Sequence, residues 1–160
     1  MQRVFNNAIE TGVRIVVILT ESKKSLDLQQ LIFYDHLTLH FGDVDSQYIS
    51  LHPSNPFHST EYIVKRKLVQ EGLNIVIAKG LVDVEYSAEG IKYKANKSSE
   101  HFLSYFESEY YKKLKFFAYQ VALRFNDYSL NELINYFRLN IGQWKGEFEK
   151  EVLFRGEEVV

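Results

Sequence analysis

Histidines and acidic residues are concentrated between residues 35 and 58, and these are side chains from which a metal site could be built. His36 and His40 are spaced i, i+4, which places them on one face of a predicted helix. Further candidate ligands in this stretch are Asp35, Asp43, His52 and His58. There is no His-Glu-x-x-His motif, which would supply a general base beside two such histidines. A metal-dependent hydrolase is one hypothesis, and histidines that serve in the core or as caps are the alternative.

The same stretch holds the residue types of a nucleophilic triad, namely Asp35, Ser54 and His58. Neither a nucleophile-elbow motif nor an oxyanion-hole motif accompanies them. The chain has no glycine-rich phosphate loop, and it has no cysteine, which excludes a thiol nucleophile, disulfides and thiolate metal sites. The sequence therefore predicts a protein that is not an enzyme and that has no catalytic residue, metal site or cofactor.

Basic residues mark two places where the chain could contact nucleic acid or an acidic partner. The candidate residues are Lys65, Arg66, Lys67, Lys92 and Lys94. The first three lie at the start of a predicted helix, where cations oppose the macrodipole unless an anion compensates them. The last two face acidic residues of a neighbouring strand, which weakens attraction to a polyanion. Because the formal net charge is −2, any such contact must be local, and a solvated helix end remains the alternative.

Three helices are predicted before residue 80. Asn7 and Glu10 have the spacing of a capping box and begin the first helix, whose apolar stripe is Ile9, Val13, Val16 and Val17. The second helix covers residues 28–41 with Gly42 as its C′ glycine, and its apolar residues surround it almost completely, so it should be deeply packed. The third helix covers residues 61–79, after a long loop.

A β-hairpin follows the third helix. Residues 82–86 and 91–95 alternate between apolar and charged side chains, and a four-residue turn ending in Gly90 separates them. Three helices followed by a hairpin is the order of a winged helix, in which the third helix would be the recognition helix and the hairpin the wing.

A long helix is predicted from Ser98 or Ser99 to Phe125. Apolar residues recur there at steps of three and four, and the helix would be about 40 Å long. This is more than the small domain needs for its own core, so part of its surface should pack on another helix, a second copy or a different chain. Three apolar residues lie off the main stripe and are the candidates for a partner surface: Phe116, Tyr119 and Leu123. A further helix, capped by Ser129 and Glu132, and an acidic tail end the chain.

Length and composition fit one domain with an appendage. The chain has 160 residues, of which 46% are hydrophobic and 15% aromatic. The expected fold is α+β and mostly helical, with a winged-helix-like domain at residues 1–97 and a long helix with a C-terminal helical extension at residues 98–160. No apolar run is long enough to span a bilayer, so we expect a cytoplasmic protein without membrane contact.

Three segments together resemble a known family. They are YDHLTLHFGD at residues 34–43, SLHPSNPF at residues 50–57 and EYIVKRKLVQEGLNIVIAKGLVDV at residues 61–84. In order and spacing they resemble the middle component of bacterial ABC-three-component systems and are similar to the LmuC subunit of Lamassu-type anti-phage defence. The resemblance covers roughly residues 4–125.

This resemblance implies an SMC- or Rad50-like ATPase partner, an effector partner of the nuclease type, and action against phage or plasmid DNA. It implies a subunit without chemistry of its own, which bridges or regulates the others. The motif positions interpreted as shaping a docking loop are His40, Asp43, His52, Pro53 and Pro56. The competing hypothesis is a winged-helix transcriptional regulator that binds DNA and dimerises through the long helix.

Overall fold

The computed structural model describes residues 7–52 and 61–140, which form helices and one two-stranded hairpin. The elements are α1 (Ala8–Ser22), α2 (Leu28–Leu39), a 3-10 helix (Phe41–Asp43), α3 (Glu61–Ala78), β1 (Val82–Ser87), β2 (Gly90–Ala95), α4 (Lys97–Leu103), α5 (Glu109–Phe125) and α6 (Leu130–Asn140). The α+β, mostly helical fold is therefore confirmed. None of the helices in these ranges combines the length and the apolar character that crossing a membrane requires.

The helix α2 is buried on nearly all sides, as its apolar sequence predicts. Asp27 begins it with a full capping box, because its carboxylate accepts from the Gln30 N–H and the Gln30 side chain accepts from the Asp27 N–H. Around α2 pack α1, α3 and α5, and α6 adds Phe137, whose ring stacks on Phe33 with centroids 4.4 Å apart. These elements share one hydrophobic core.

The helices α1 and α3 approach each other closely at a pair of glycines. A Cβ on Gly72 would lie 2.8 Å from the Gly12 nitrogen and 3.0 Å from the Ala8 carbonyl oxygen. A Cβ on Gly12 would likewise lie 3.0 Å from the Gly72 carbonyl oxygen. Glycine in the middle of a helix disfavours the helix by about 1 kcal/mol relative to alanine. Here the absence of a Cβ allows the two backbones to pack against each other.

The hairpin has the predicted register. Val84 pairs with Tyr93, and Ser87 pairs with Gly90 across the turn. Gly90 has φ of 117°, a conformation that a residue with a Cβ rarely adopts. The segment between α1 and α2 adds a single bridge, because Leu26 and Tyr93 exchange two backbone hydrogen bonds of 2.8 and 3.0 Å. The hairpin is thereby fixed to the helical core.

The predicted long helix is wrong, because the chain breaks between α4 and α5. Asn96 caps α4, not Ser98 or Ser99. After α4 the Ser104 hydroxyl donates to the His101 carbonyl, and the Ser108 side chain accepts from the Tyr111 N–H to begin α5. Serine side chains that bond to nearby backbone groups compete with helix continuation. The 17 residues of α5 span about 25 Å, so much less surplus helix surface remains than the sequence suggested.

Two other local predictions are also wrong. The helix α2 ends at Leu39 rather than Phe41, and Gly42 lies inside the 3-10 helix instead of taking the left-handed C′ position. Ile9 is 66% exposed and does not join the buried stripe of α1. The predicted caps at Asn7 and at Ser129 with Glu132 are present.

Candidate docking site

A buried carboxylate lies at the centre of the motif region. Asp35 on α2 is fully buried and forms ion pairs with Arg14 of α1 and Lys65 of α3. The Arg14 Nε donates to Asp35 Oδ1 at 2.8 Å, and the Lys65 Nζ donates to Oδ2 at 2.9 Å. Burial alone would raise the pKa of Asp35, but the two cations outweigh it and hold that pKa well below its usual range. The three side chains form a structural ion cluster that joins α1, α2 and α3.

Two motif histidines lie beside this cluster and connect the loop after α2 to the core. His40 Nδ1 lies 2.9 Å from the His52 carbonyl oxygen, so this nitrogen must carry the proton that is donated. The His52 ring nitrogen Nε2 is 2.8 Å from the Tyr110 hydroxyl of α5, and the His52 N–H donates to the Leu39 carbonyl. Burial, followed by the charges of Arg14 and Lys65, lowers the pKa of His52 to about 4. His52 is therefore neutral at physiological pH.

His36 and His40, the pair on which the metal hypothesis rests, are both buried. The rings of His36 and His40 pack against each other with centroids 4.6 Å apart, and burial lowers the pKa of His36. Within residues 7–52 and 61–140, no group of at least three His, Cys, Asp or Glu side chains could hold a metal ion. Asp43 is exposed. Ser54 and His58, which the metal and triad hypotheses also used, lie outside the described residues, as do Pro53 and Pro56.

The basic residues singled out in the sequence do not form one surface. Lys65 is 7% exposed and bound to Asp35, so its ammonium is turned into the core rather than towards a polyanion. Arg66 is half-buried and Lys67 exposed on the same helix, and their contact with a partner stays a prediction. The hairpin register places Asp83 opposite Lys94 as expected.

The acidic partners on the hairpin make other hydrogen bonds as well. Asp83 accepts from the Asn96 side chain at 2.9 Å, and Glu85 accepts from the Ser25 hydroxyl at 2.5 Å. Lys92 has its ammonium 4.0 Å from Glu89 in the turn. The contact of Lys92 and Lys94 with a polyanion therefore stays a prediction.

An open groove of about 680 Å³ lies between the loop of residues 44–52 and α5. Its lining residues are Gln47, Tyr48, Ile49, Ser50, Leu51, Tyr110, Lys112, Lys113, Phe116 and Phe117. Phe116 and Tyr119 on α5 are 42% and 45% exposed, Leu123 is 60% exposed, and Ile49 at the loop tip is 91% exposed. The three residues predicted as a partner surface thus lie together on one exposed face of α5, next to an exposed apolar loop. Their contact with a partner stays a prediction.

The loop that borders the groove is held in place by specific contacts. The Gly42 N–H donates to the Ser50 hydroxyl at 2.8 Å, and a Cβ on Gly42 would lie 2.8 Å from the Tyr48 carbonyl oxygen. Asp45 pairs with Arg124 of α5 at 2.7 Å. With the two histidine contacts, these bonds give the described part of the loop a defined shape.

Sequence reasoning missed the role of Arg14 and the pairing of Asp35 with Lys65. A signal was present, because Arg14 interrupts an apolar run and Asp35 lies in a helix that is apolar almost all round. Charged residues are rarely fully buried unless they are paired. Their partners, however, are distant in sequence.

A family model matches most of the chain. The family model described as ABC-three component (ABC-3C) system Middle Component 2 matches residues 4–147. No curated protein and no solved structure matches the chain. The matched range includes all three motif segments, so the resemblance to an ABC-three-component middle component is confirmed.

Proposed function

The chain belongs to the middle component 2 family of ABC-three-component systems, and we propose that it is a non-catalytic subunit that bridges the other subunits of such a system. Its partners are an SMC- or Rad50-like ATPase and an effector of the nuclease type. The system is a cytoplasmic anti-phage or anti-plasmid defence of the Lamassu type, in which this chain corresponds to the LmuC subunit. The assembled complex brings the chain into contact with double-stranded DNA.

The observation that carries this proposal is the exposed apolar face of α5 beside the loop of residues 44–52. Phe116, Tyr119 and Leu123 follow each other at i, i+3 and i+7, which is the spacing of one helix face. Contiguous exposed apolar side chains of this kind mark protein interaction sites. Tyr48 packs on Phe116 with ring centroids 5.7 Å apart, so the loop and the helix form one surface.

The charge around the groove favours an acidic occupant. Lys112 and Lys113 are among its lining residues, and the Lys112 ammonium also lies 3.5 Å from the Glu109 carboxylate. An amphipathic helix of the ATPase subunit with acidic residues at one end fits both the apolar face and these two cations. The motif residues His40, Asp43 and His52 shape this loop rather than contact the partner directly.

The polar groups of the motif region support a structural role rather than catalysis. Both carboxylate oxygens of Asp35 are occupied by Arg14 and Lys65, and the three side chains are buried. A nucleophile or general base must reach a substrate, whereas these groups are turned towards each other.

Co-purification tests the proposal. The tagged chain is expressed with the products of its two neighbouring genes, and the eluted complex is weighed by native mass spectrometry. We expect a stable assembly with a large ATPase, and we expect the double variant Phe116→Asp/Leu123→Asp to lose it. Leu139→Asp, which changes an exposed apolar residue on α6, is the matched control and should retain the complex. A wild-type chain that elutes alone contradicts the proposal.

A second candidate is a winged-helix transcriptional regulator, and the Leu26–Tyr93 bridge favours it. This bridge places a short extended segment between the first two helices and pairs it with the hairpin, as in a winged helix. The regulator would bind promoter DNA by itself, with an affinity that falls as salt rises, and would dimerise through α5. If the chain forms a homodimer that binds DNA and does not bind the neighbouring gene products, this function would be favoured over the first.

A further inference from the structure

A pocket lies at the end of the hairpin that is away from its turn, and lysines from three elements line it. It has a volume of about 240 Å³ and lies between the end of α1, the end of β2 and the start of α4. Its lining residues are Leu19, Thr20, Lys23, Lys24, Lys94, Ala95, Asn96, Lys97 and Glu100. Four of these lining residues are lysines, and one of them, Glu100, is acidic. We call this the lysine pocket.

One lysine of the pocket is kept at a backbone position that disfavours it. Lys23 ends α1 with φ of 57° and ψ of 26°, and it is the one non-glycine residue with positive φ in the described part of the chain. The left-handed conformation is unfavourable for a residue with a Cβ, and glycine would be the favourable choice there. A cation at a helix C-terminus recovers part of this cost, but the side chain also adds a positive charge to the pocket.

A second lysine of the pocket, Lys24, lies near the cation Lys92 and makes a hydrogen bond to a residue outside the lining. Lys24 Nζ donates to the Asn126 carbonyl oxygen at 2.5 Å. Burial and then the neighbouring charge of Lys92 lower the pKa of Lys24, while Asp127 opposes this effect. Lys92 is outside the lining, lies opposite Glu85 in the hairpin and has its ammonium 4.0 Å from Glu89, so we do not count it among the cations of the pocket.

The lining residues indicate which anion fits. No aromatic ring lines the pocket within the described residues, so it offers no surface on which a single-stranded base could stack. Its cations are spread over a helix end, a strand and a second helix, and the pocket is open. Such an arrangement suits successive phosphates of a duplex backbone rather than one small phosphorylated molecule.

We infer that the lysine pocket binds the phosphate backbone of double-stranded DNA without reading its sequence. This deepens the DNA-contact part of the proposed function and rests on it, whereas the bridging role does not depend on the pocket. The pocket lies on elements other than the basic start of α3. With three to four lysines engaged, log Kd should change with log salt with a slope of about 3 in magnitude.

The test compares two double variants that remove the same charge. Binding of the full chain to a fluorescein-labelled duplex of arbitrary sequence is measured by anisotropy at graded salt. Lys94→Gln/Lys97→Gln should weaken binding and reduce the magnitude of the salt slope by about 2. Lys79→Gln/Lys115→Gln changes two exposed lysines that lie outside both the pocket and the basic start of α3, and it should leave the slope unchanged. Equal losses in the two variants, or no duplex binding by the wild type, overturn the inference.

Lys23→Gly separates binding from folding. Glycine suits the left-handed backbone at this position, so the variant should melt at the same or a higher temperature while it binds the duplex more weakly. Unchanged DNA affinity in Lys23→Gly contradicts the pocket. Polyglutamate is the comparison ligand, and tighter pocket-dependent binding of polyglutamate than of duplex would assign the pocket to an acidic protein instead.

Failure of this inference and failure of the bridging role give different results. The pocket variants should still co-purify with the ATPase, because α5 is unchanged. A variant that assembles normally and still binds duplex like the wild type overturns the pocket alone. A wild type that does not assemble overturns the bridging role, while the anisotropy measurement on the single chain still decides the pocket.

Discussion

Asp35 places one negative charge between two cations in the interior of the protein. The desolvation of three charged groups is costly, and the cluster persists because each charge is hydrogen-bonded to another. Removing the central carboxylate leaves Arg14 and Lys65 buried and facing each other across the contact of α1, α2 and α3. The motif residue Asp35 therefore acts through the packing of α1, α2 and α3, and α5 packs on the first two of these helices.

We expect Asp35→Asn to reduce the free energy of unfolding by about 3–5 kcal/mol, since it leaves two buried cations without a counter-charge. Urea denaturation measures the change. Asp127→Asn removes an exposed carboxylate and is the matched control, with an expected change within about 0.5 kcal/mol. Similar losses in both variants would show that the buried cluster has no special role.

Replacing all three charged side chains of the cluster tests whether the uncompensated charge, and not the altered packing, destabilises Asp35→Asn. The triple variant Arg14→Met/Asp35→Leu/Lys65→Met replaces the cluster by apolar side chains of similar size and should recover most of the stability that Asp35→Asn loses. If it unfolds more easily than Asp35→Asn, the hydrogen bonds rather than the compensated charge hold the helices together.

His52 should make the stability depend on pH. Its pKa is lowered to about 4 in the folded chain from an ordinary value of 6.5. As the pH falls from about 6.5 to about 4, the unfolded chain takes up the proton first, so the free energy of unfolding decreases. Above pH 6.5 the histidine is neutral in both states and this contribution is complete.

His52→Gln should reduce this pH dependence, measured as the urea midpoint at successive pH values. His36, whose pKa burial also lowers, continues to contribute, so the slope is expected to decrease rather than vanish. A variant with the slope of the wild type would mean that the His52 ring is accessible to protons in the folded chain.

The basic triplet at residues 65–67 shows how far the roles of single residues can be predicted from the sequence. Adjacent basic residues at a helix start indicated a polyanion contact, and their fan-like arrangement on a helix indicated that they could not all meet one ligand. Which of the three is buried depends on Asp35, 30 residues earlier in the chain. That pairing is tertiary, and local charge pattern carries no information on it.

At the scale of elements, the crossing of α1 and α3 depends on two glycines. Gly72 is a weak point of a helix when read from the sequence, since glycine lowers helix propensity. In the fold it permits the backbones to touch, with Gly12 on the facing helix. The loss of helix propensity at Gly72 could be predicted from the sequence. The close contact that it permits could not, because that contact depends on the neighbouring helix.

We expect Gly72→Ala to destabilise the fold, although alanine favours an isolated helix by about 1 kcal/mol. The new Cβ would lie 2.8 Å from the Gly12 nitrogen, and backbone atoms cannot move aside without separating the helices. Asn74→Ala, at an exposed position of the same helix, is the control and should leave the melting temperature equal or higher. A stabilised Gly72→Ala would refute the close crossing.

The division of the predicted long helix into α4 and α5 has a related cause. Apolar residues kept a helical spacing from Phe102 to Phe125, because the residues of the break still pack: the rings of Phe106 and Tyr111 lie 5.4 Å apart. Periodicity reports which residues face the core and does not report whether the backbone between them is helical. The serine caps that end and restart the helix were the local signal.

At the scale of the whole molecule, the fold separates two kinds of surface. The apolar face of α5 and the loop of residues 44–52 form one, and the lysine pocket between α1, β2 and α4 forms the other. The predicted boundary at residue 97 remains a prediction, and buried residues of α5 such as Phe117 belong to the same core as α1 and α2. A bridging subunit that also touches DNA requires surfaces on different elements, so that both can be occupied together.

If the α5 face exists for a partner, it should lower the solubility of the chain alone and contribute little to its stability. Phe116 and Phe117 are adjacent in sequence, but Phe116 is 42% exposed and Phe117 only 6%. Phe116→Asp should reduce light scattering of the concentrated chain, and it should lower the melting temperature only slightly, because it loses the ring contact with Tyr48 but leaves the core intact. Phe117→Asp places a charge in the core beside Phe41 and should abolish cooperative unfolding. A Phe116→Asp chain that unfolds as Phe117→Asp does would mean that the face is part of the core, and that the partner must bind elsewhere.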